Sequence, residues 1–369
     1  MKFKRITAAF LAGMMALSLV ACSSDTGADD SSTNDSGSES TETTNPEAKV
    51  FTMGHSNPAD PDDQYHYFCL QLNENLQEIC DGAIQFEFYT DNQFGTEPEM
   101  FQYVSDGTLD SVCISNNIVS GSIPELQVLD LPYFFESEEE YQYLVDNEEF
   151  LNTVLPIFEN EWNMVQIAPV LDASWRTLYT KGKAVETFED LKDMKVRVTT
   201  NRVHEAAYKA MGAIPSVIAW GECYTAFQQN VIDGLDVGVP IAQTMGFYEV
   251  SDYCSRLNPF PIMAWPMMNK DLWDSLTEEE QGWITEAATQ AALDQRTHQR
   301  EMEVKFTEEQ EAAGIAAVGQ AEAEAIRAKA LAEAEGIDKS SLTQFIPEIG
   351  EDFYNQCVAT VEEFRASQG

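Results

Sequence analysis

Apolar and polar positions follow two periods along this chain, and the switches between them mark its elements. Val50–Gly54 reads as a short apolar strand, and a polar loop leads into a helix over 64–80 with Phe68, Leu72, Leu76 and Ile79 on one stripe. Ile84–Tyr89 alternates as a strand, Thr96-Glu97-Pro98-Glu99 opens a further helix, and Asp110–Ser115 is the next strand. Asn163–Val170 and Ser174–Thr180 read as adjacent strands. Strand Lys195–Thr199, helix 203–212, strand Ser216–Ala219, helix 221–230 and strand Ile232–Val237 follow in turn. Thr277-Glu278-Glu279-Glu280 is a capping box that starts a long helical region, and the Ala/Glu-rich stretch 311–336 reads as a surface helix. Strands separated by helices of ten or more residues predict α/β sheets.

The beginning of the chain has a different pattern. Lys2, Lys4 and Arg5 precede an apolar run, Ile6–Val20, that closes on Leu19-Val20-Ala21-Cys22. A basic start, an apolar run and small residues at the cut describe a signal peptide over 1–21. The run has about fifteen apolar residues, short of the roughly twenty that span a bilayer. The cysteine at the cut resembles a bacterial lipobox, in which Cys22 carries the lipid. Residues 22–49 are mostly Ser, Thr, Asp, Glu, Asn and Gly, too polar to offset the cost of ordering. The expectation is a flexible acidic linker with a reach of roughly 30 Å, tying an extracytoplasmic body to the cell membrane.

Charge narrows the functions open to that body. The chain has 369 residues, with 21 Lys and Arg against 63 Asp and Glu, for a net charge of −42. Nucleic acid is excluded as a partner, because phosphate neutralisation needs clustered cations. Adhesion to an anionic bilayer through a basic patch is excluded for the same reason. The length suits two lobes. Six cysteines follow Cys22, none at metal-type spacing, and Cys69 and Cys80 lie too far apart on one helix to bridge. Free buried thiols are expected. The four histidines, at 55, 66, 204 and 298, are dispersed, and no nucleophile, phosphate-loop or zinc motif accompanies them. Neither a catalytic residue, a metal nor a cofactor is expected, which leaves an exported hydrolase as the weaker alternative.

Cations are scarce enough to be informative. Between Lys49 and Arg176 there is no Lys or Arg, while the same stretch holds 24 Asp and Glu. Arg176, Arg197 and Arg202 then come close together. In Lys195-Val196-Arg197-Val198, alternation sends the valines to one face and Arg197 to the other, near the C-terminal end of its strand. That edge is where open α/β sheets bind ligands, and an arginine fork holds a carboxylate through two parallel hydrogen bonds. A solvated arginine paired with one of the many acids fits the spacing equally well.

The ordered motifs resemble a known family. Leu191-Lys192-Asp193-Met194-Lys195-Val196-Arg197-Val198, Met211-Gly212-Ala213-Ile214-Pro215, Glu222-Cys223-Tyr224-Thr225-Ala226-Phe227-Gln228 and Val231-Ile232-Asp233-Gly234 follow one another. Upstream stand Asn92-Gln93-Phe94-Gly95, Gly107-Thr108-Leu109-Asp110 and Asp130-Leu131-Pro132-Tyr133-Phe134, and downstream Met268-Asn269-Lys270-Asp271-Leu272-Trp273. Together they are similar to the solute-binding proteins of tripartite ATP-independent periplasmic (TRAP) transporters, the DctP family.

The resemblance implies an α/β fold of two lobes, one over 50–173 plus about 263–305, the other over 174–262 plus about 306–369. It implies a cleft that closes on an organic acid, and a membrane permease as partner. A ligand-sensing role beside a membrane receptor is the other reading. Arg197 would clamp the carboxylate, Arg176 would be a second basic contact, and Trp220 would line the pocket. Asn201, Glu222, Asp236 and Val237 complete that side, while Asn57, Phe94, Ser115 and Asn116 form the opposite wall. His55, beside Asn57, is neutral at pH 7 by default. One departure stands out: Val237 occupies the place where the family usually has a ligand-bonding Asn, so sugar acids and C4-dicarboxylates do not simply carry over.

Overall fold

A computed structural model describes residues 48–318 and 343–368. The predicted Cys22 anchor, the linker up to residue 47 and most of the 311–336 stretch lie outside the described residues. Twelve strands form two sheets: β1 (Lys49–Gly54), β2 (Ile84–Tyr89), β3 (Ser111–Ser115), β4 (Met164–Gln166), β5 (Leu171–Trp175), β6 (Thr177–Thr180), β7 (Lys195–Val198), β8 (Ile214–Val217), β9 (Gly234–Val237), β10 (Tyr253–Ser255), β11 (Pro261–Asn269) and β12 (Ala316–Val318). The first sheet runs β2-β1-β3-β11-β4, with β5 also on β11; the second runs β12-β10-β6-β9-β7-β8. Strands β2, β1 and β3 are parallel, as are β8, β7 and β9. The crossovers between them are helices, as right-handed βαβ units require.

The chain passes between sheets twice at nearly the same point. Arg176 alone separates β5 from β6, and its N–H donates to the carbonyl of Phe260, just ahead of β11, at 2.9 Å. The expected single strand Ser174–Thr180 is therefore two strands in different sheets. Ser174, at φ 73°, takes a backbone conformation L residues rarely adopt. The other expected strand, Asn163–Val170, is reduced to the three residues of β4, because only Met164–Gln166 pair with β11.

A third connection is the helix Glu278–Ala312, started by the expected Thr277–Glu280 box. At 35 residues it is about 52 Å long. Its early turns pack Ile284, Ala287, Ala288, Ala291 and Ala292 against the first sheet and the helix Gln64–Cys80. Its late turns carry Met302 and Phe306 into the core of the second sheet. Small alanines allow the close helix–helix approach in the first half.

The tail departs from the expected assignment of 306–369 to the second lobe. Ala312 ends the long helix and Ala316–Val318 joins the second sheet, so the beginning of the Ala/Glu-rich stretch is a turn and a strand, not a helix. The C-terminal helix Glu351–Gln368 goes back to the first lobe. There Phe353, Cys357 and Val361 enter the core beside Phe150 and Tyr141, and Arg365 pairs with Glu140 at 2.8 Å. All six described cysteines are free, five of them buried.

Candidate functional site

A cavity of about 250 Å³ lies where the two lobes meet, at the C-terminal edges of their parallel strands. Ser56 and Asn57 follow β1, Ser115 ends β3, Thr199 and Thr200 follow β7, Ile218 to Gly221 follow β8, and Val237 ends β9. Both sheets therefore offer the edge where α/β folds bind ligands. The helices after β1 and β2 bring their first residues, Gln64 and Glu97, to the same space.

Arg197 reaches the cavity by strand alternation. Val196 and Val198 enter a core with Leu191 and Tyr208, which sends Arg197 to the opposite face. Its Nε donates to the carbonyl of Ile218 at 3.1 Å, and its guanidinium lies 5.4 Å from the Trp220 ring centre. These contacts fix the plane of the fork. Nη1 and Nη2 have no hydrogen-bond or acidic partner among the described residues. Burial lowers the Arg197 pKa below the ordinary guanidinium value.

Arg176 is held differently. Its Nη1 donates to the Asp236 carbonyl at 3.2 Å and to Asp236 Oδ1 at 3.3 Å, while Nη2 donates to Asn117 Oδ1 of the first lobe at 2.9 Å. Tyr208 Oη donates to the other Asp236 oxygen at 3.1 Å. Arg176 thus pairs with Asp236 and still faces the cavity, whereas Arg197 has no acidic partner among the described residues.

Of the residues named from sequence, Arg197, Arg176, Trp220, Val237, Asn57 and Ser115 line the cavity together. Asp236 lies behind Arg176. Phe94 packs edge-on against Tyr89 at 4.9 Å, outside the lining. Glu222 is exposed and likewise outside it. Asn116 spends its amide on Leu126 O, Asp130 Oδ1 and the indole of Trp265. Asn201 donates to Asp130 Oδ2 at 2.7 Å, to Ser120 Oγ and to Asn117 O, and caps the helix Arg202–Ala210. Asn116 and Asn201 therefore belong to a polar seam around Asp130 that joins the lobes beside the cavity. His55 is fully buried, 3.3 Å from His66, and burial pulls its pKa down to about 3, so it stays neutral.

Sequence reading missed Glu97, Gln64, Asn117, Ile241 and Ile262. Glu97 accepts from Ser115 Oγ at 2.6 Å and Ser56 Oγ at 3.1 Å, and burial raises its pKa. It opens a helix, where an acidic residue already has a capping explanation, so its position alone carried no signal.

Two lobes, three connecting segments among the described residues and a cavity between strand edges define a solute-binding protein of the two-lobed type. Residues 53–336 match the model of the bacterial extracellular solute-binding protein family 7, DctP, and the chain belongs to that family. Its work is capture of a solute for transport, not catalysis. The 2,3-diketo-L-gulonate-binding periplasmic protein of Escherichia coli K12 is 24% identical over 258 residues, covering 69% of this chain and 77% of that protein. The ectoine/5-hydroxyectoine-binding periplasmic protein of Ruegeria pomeroyi is 27% identical over 227 residues, covering 61% of this chain and 65% of its own length. The chain also spans 66% of a Chromohalobacter salexigens solute-binding protein at 27% identity. Among solved structures, the sugar acid binding protein of Advenella mimigardefordensis in complex with galactonate superposes with a TM-score of 0.76. It is 20% identical, and the match covers 86% of this chain and 99% of that one.

Proposed function

We propose that this protein captures a small organic acid anion outside the cytoplasm and delivers it to a TRAP-type secondary permease, held at the membrane by a lipid on Cys22. One observation carries the ligand class. In a chain with 63 acidic residues, Arg197 is buried at the cavity with both terminal nitrogens unpaired. A buried cation without a counter-ion is costly unless something arrives to pair with it. A carboxylate matches the fork, and galactonate and 2,3-diketo-L-gulonate, the solutes in two of the related proteins' names, are carboxylates.

The ligand-binding half is tested by thermal melting against organic acids and their uncharged amides. A ligand bound only by the native state stabilises it by about 2.7 kcal/mol at roughly a hundred times Kd, which shifts Tm by several degrees. Acids should shift the melt and their amides should not; a shift by amides alone rejects the anion reading. Retention at the membrane is assigned to Cys22, the cysteine that closes the lipobox-like run Leu19-Val20-Ala21-Cys22. Cys22→Ser in cells should move the protein from the membrane pellet to the soluble fraction. Membrane retention of Cys22→Ser equal to wild type rejects the anchor.

A further inference from the structure

The cavity divides by charge, with Arg176 and Arg197 on the second-lobe wall and Glu97 on the first. Its second-lobe wall offers donors: Arg197 Nη1 and Nη2 have no partner among the described residues, and Arg176 Nε and Trp220 Nε1 are buried without one. Its first-lobe wall carries the one acid of the lining, Glu97, among neutral groups that both donate and accept, Asn57, Asn92, Asn117 and the Gln64 amide. Gln64 is 2% exposed and its Oε1 has no partner. Among the described residues the Glu97 carboxylate takes hydrogen bonds only from Ser56 and Ser115 and forms no ion pair. Ile218, Val237, Ile241, Ile262 and Trp220 add apolar surface to the lining, beside the hydroxyls of Thr199 and Thr200.

Arg176 pairs with Asp236 at 3.3 Å, which leaves, among the described residues, one cation without an acidic partner, Arg197, on one side and one carboxylate, Glu97, on the other. We infer that the ligand is a small zwitterion, with its carboxylate on Arg197, a cationic nitrogen donating to Glu97 and Gln64, and an apolar body between. This rests on the reading of Arg197 as the carboxylate clamp and extends it to the far end of the molecule.

Two other ligand classes fit less well. A dicarboxylate would satisfy Arg197 and press its second anion against Glu97, in a lobe whose stretch from residue 50 to 175 holds no Lys or Arg. His55 cannot relieve that repulsion, because it is buried outside the cavity lining and neutral. A polyhydroxylated acid would lay part of its hydroxyls against Ile218, Val237, Ile241 and Ile262, where a hydroxyl loses its water without gaining a partner. Val237 matters most here, since an amide at that place would supply a donor and an acceptor. Burial raises the Glu97 pKa, and a cation beside it favours the ionised carboxylate.

The test is calorimetry at neutral pH with two matched sets: δ-aminovalerate, valerate and glutarate, then isonipecotate, cyclohexanecarboxylate and cyclohexanedicarboxylate, with galactonate beside them. In at least one set the cationic member should bind about tenfold or more tighter than its neutral and dianionic counterparts. Glu97→Gln should abolish that preference. Tighter binding of a dicarboxylate or of galactonate, equal affinities within each set, or an unchanged preference in Glu97→Gln overturns the inference. If galactonate or a diacid binds and Arg197→Lys loses it, the carboxylate function stands while the zwitterion falls. Absence of binding by every acid in both sets and by galactonate removes both.

Discussion

Arg197→Lys is expected to weaken carboxylate binding by about 2–5 kcal/mol, which is about thirtyfold to several-thousandfold in Kd. The reason is geometric. The Arg197 fork is set in one plane by its bond to Ile218 O and by the indole of Trp220 5.4 Å away, with two parallel N–H groups left for the ligand. A lysine ammonium keeps the charge but offers a rotating point donor in place of the planar pair. The variant should fold, because its long stem still covers the same apolar wall and no salt bridge is lost. Arg176 makes a useful contrast. It holds Asp236 and Asn117 at once, so Arg176→Lys should lower the melting temperature as well as the affinity. Calorimetry and melting of both variants separate a binding group from a structural one. Wild-type affinity in Arg197→Lys removes the clamp.

Much of this arrangement was legible in the sequence, and the parts that were not share a cause. The parallel β-helix-β units came from period and capping: β1, β2, β3, β7 and β9 fall within two residues of their expected limits. The face that Arg197 takes was legible, because alternation sends it away from Val196 and Val198, while spacing alone fitted a solvated, acid-paired arginine equally well. What failed was anything decided by a distant part of the chain. Local pattern cannot show that the segment 174–180 changes sheet at Arg176, since both halves are equally strand-like and the break comes from pairing with β9 and β11. Nor can it place the C-terminal helix, whose apolar face would suit either lobe until Phe353 meets Phe150 at 5.6 Å. Asn201 and Asn116 were the right residue types near the right edge. Their amides are nevertheless consumed by Asp130, an acid whose position in Asp130-Leu131-Pro132 gave no hint of what it holds.

That acid carries the second large expectation. Asp130 is buried, and its oxygens accept from Ser120 Oγ at 2.5 Å, Asn116 Nδ2 at 3.2 Å and Asn201 Nδ2 at 2.7 Å, with His204 Nε2 at 3.5 Å. Asn116 and Ser120 belong to the first lobe, Asn201 and His204 to the second, so the seam holds the lobes together. Asp130→Ala leaves the Ser120 hydroxyl and one Asn116 N–H without their acceptor, at about 1–3 kcal/mol each, for a total on the order of 3 kcal/mol. A drop in Tm on the order of ten degrees should follow. The lobes should also part, seen as a larger radius of gyration by small-angle scattering. The pH dependence has a definite sign. Burial alone would raise the Asp130 pKa, but the nearby His204 and hydrogen bonds from Ser120 and Asn116 outweigh it and the value falls below the ordinary one. A carboxyl with a lowered folded-state pKa contributes stability above its unfolded pKa of about 3.9, and loses it as pH falls through the lower folded value. Wild type should therefore lose this contribution only below about pH 4, while Asp130→Ala lacks it at every pH and shows a shallower acid limb. Equal melting temperatures and equal scattering curves for Asp130→Ala and wild type at neutral pH would show that the seam does not hold the lobes.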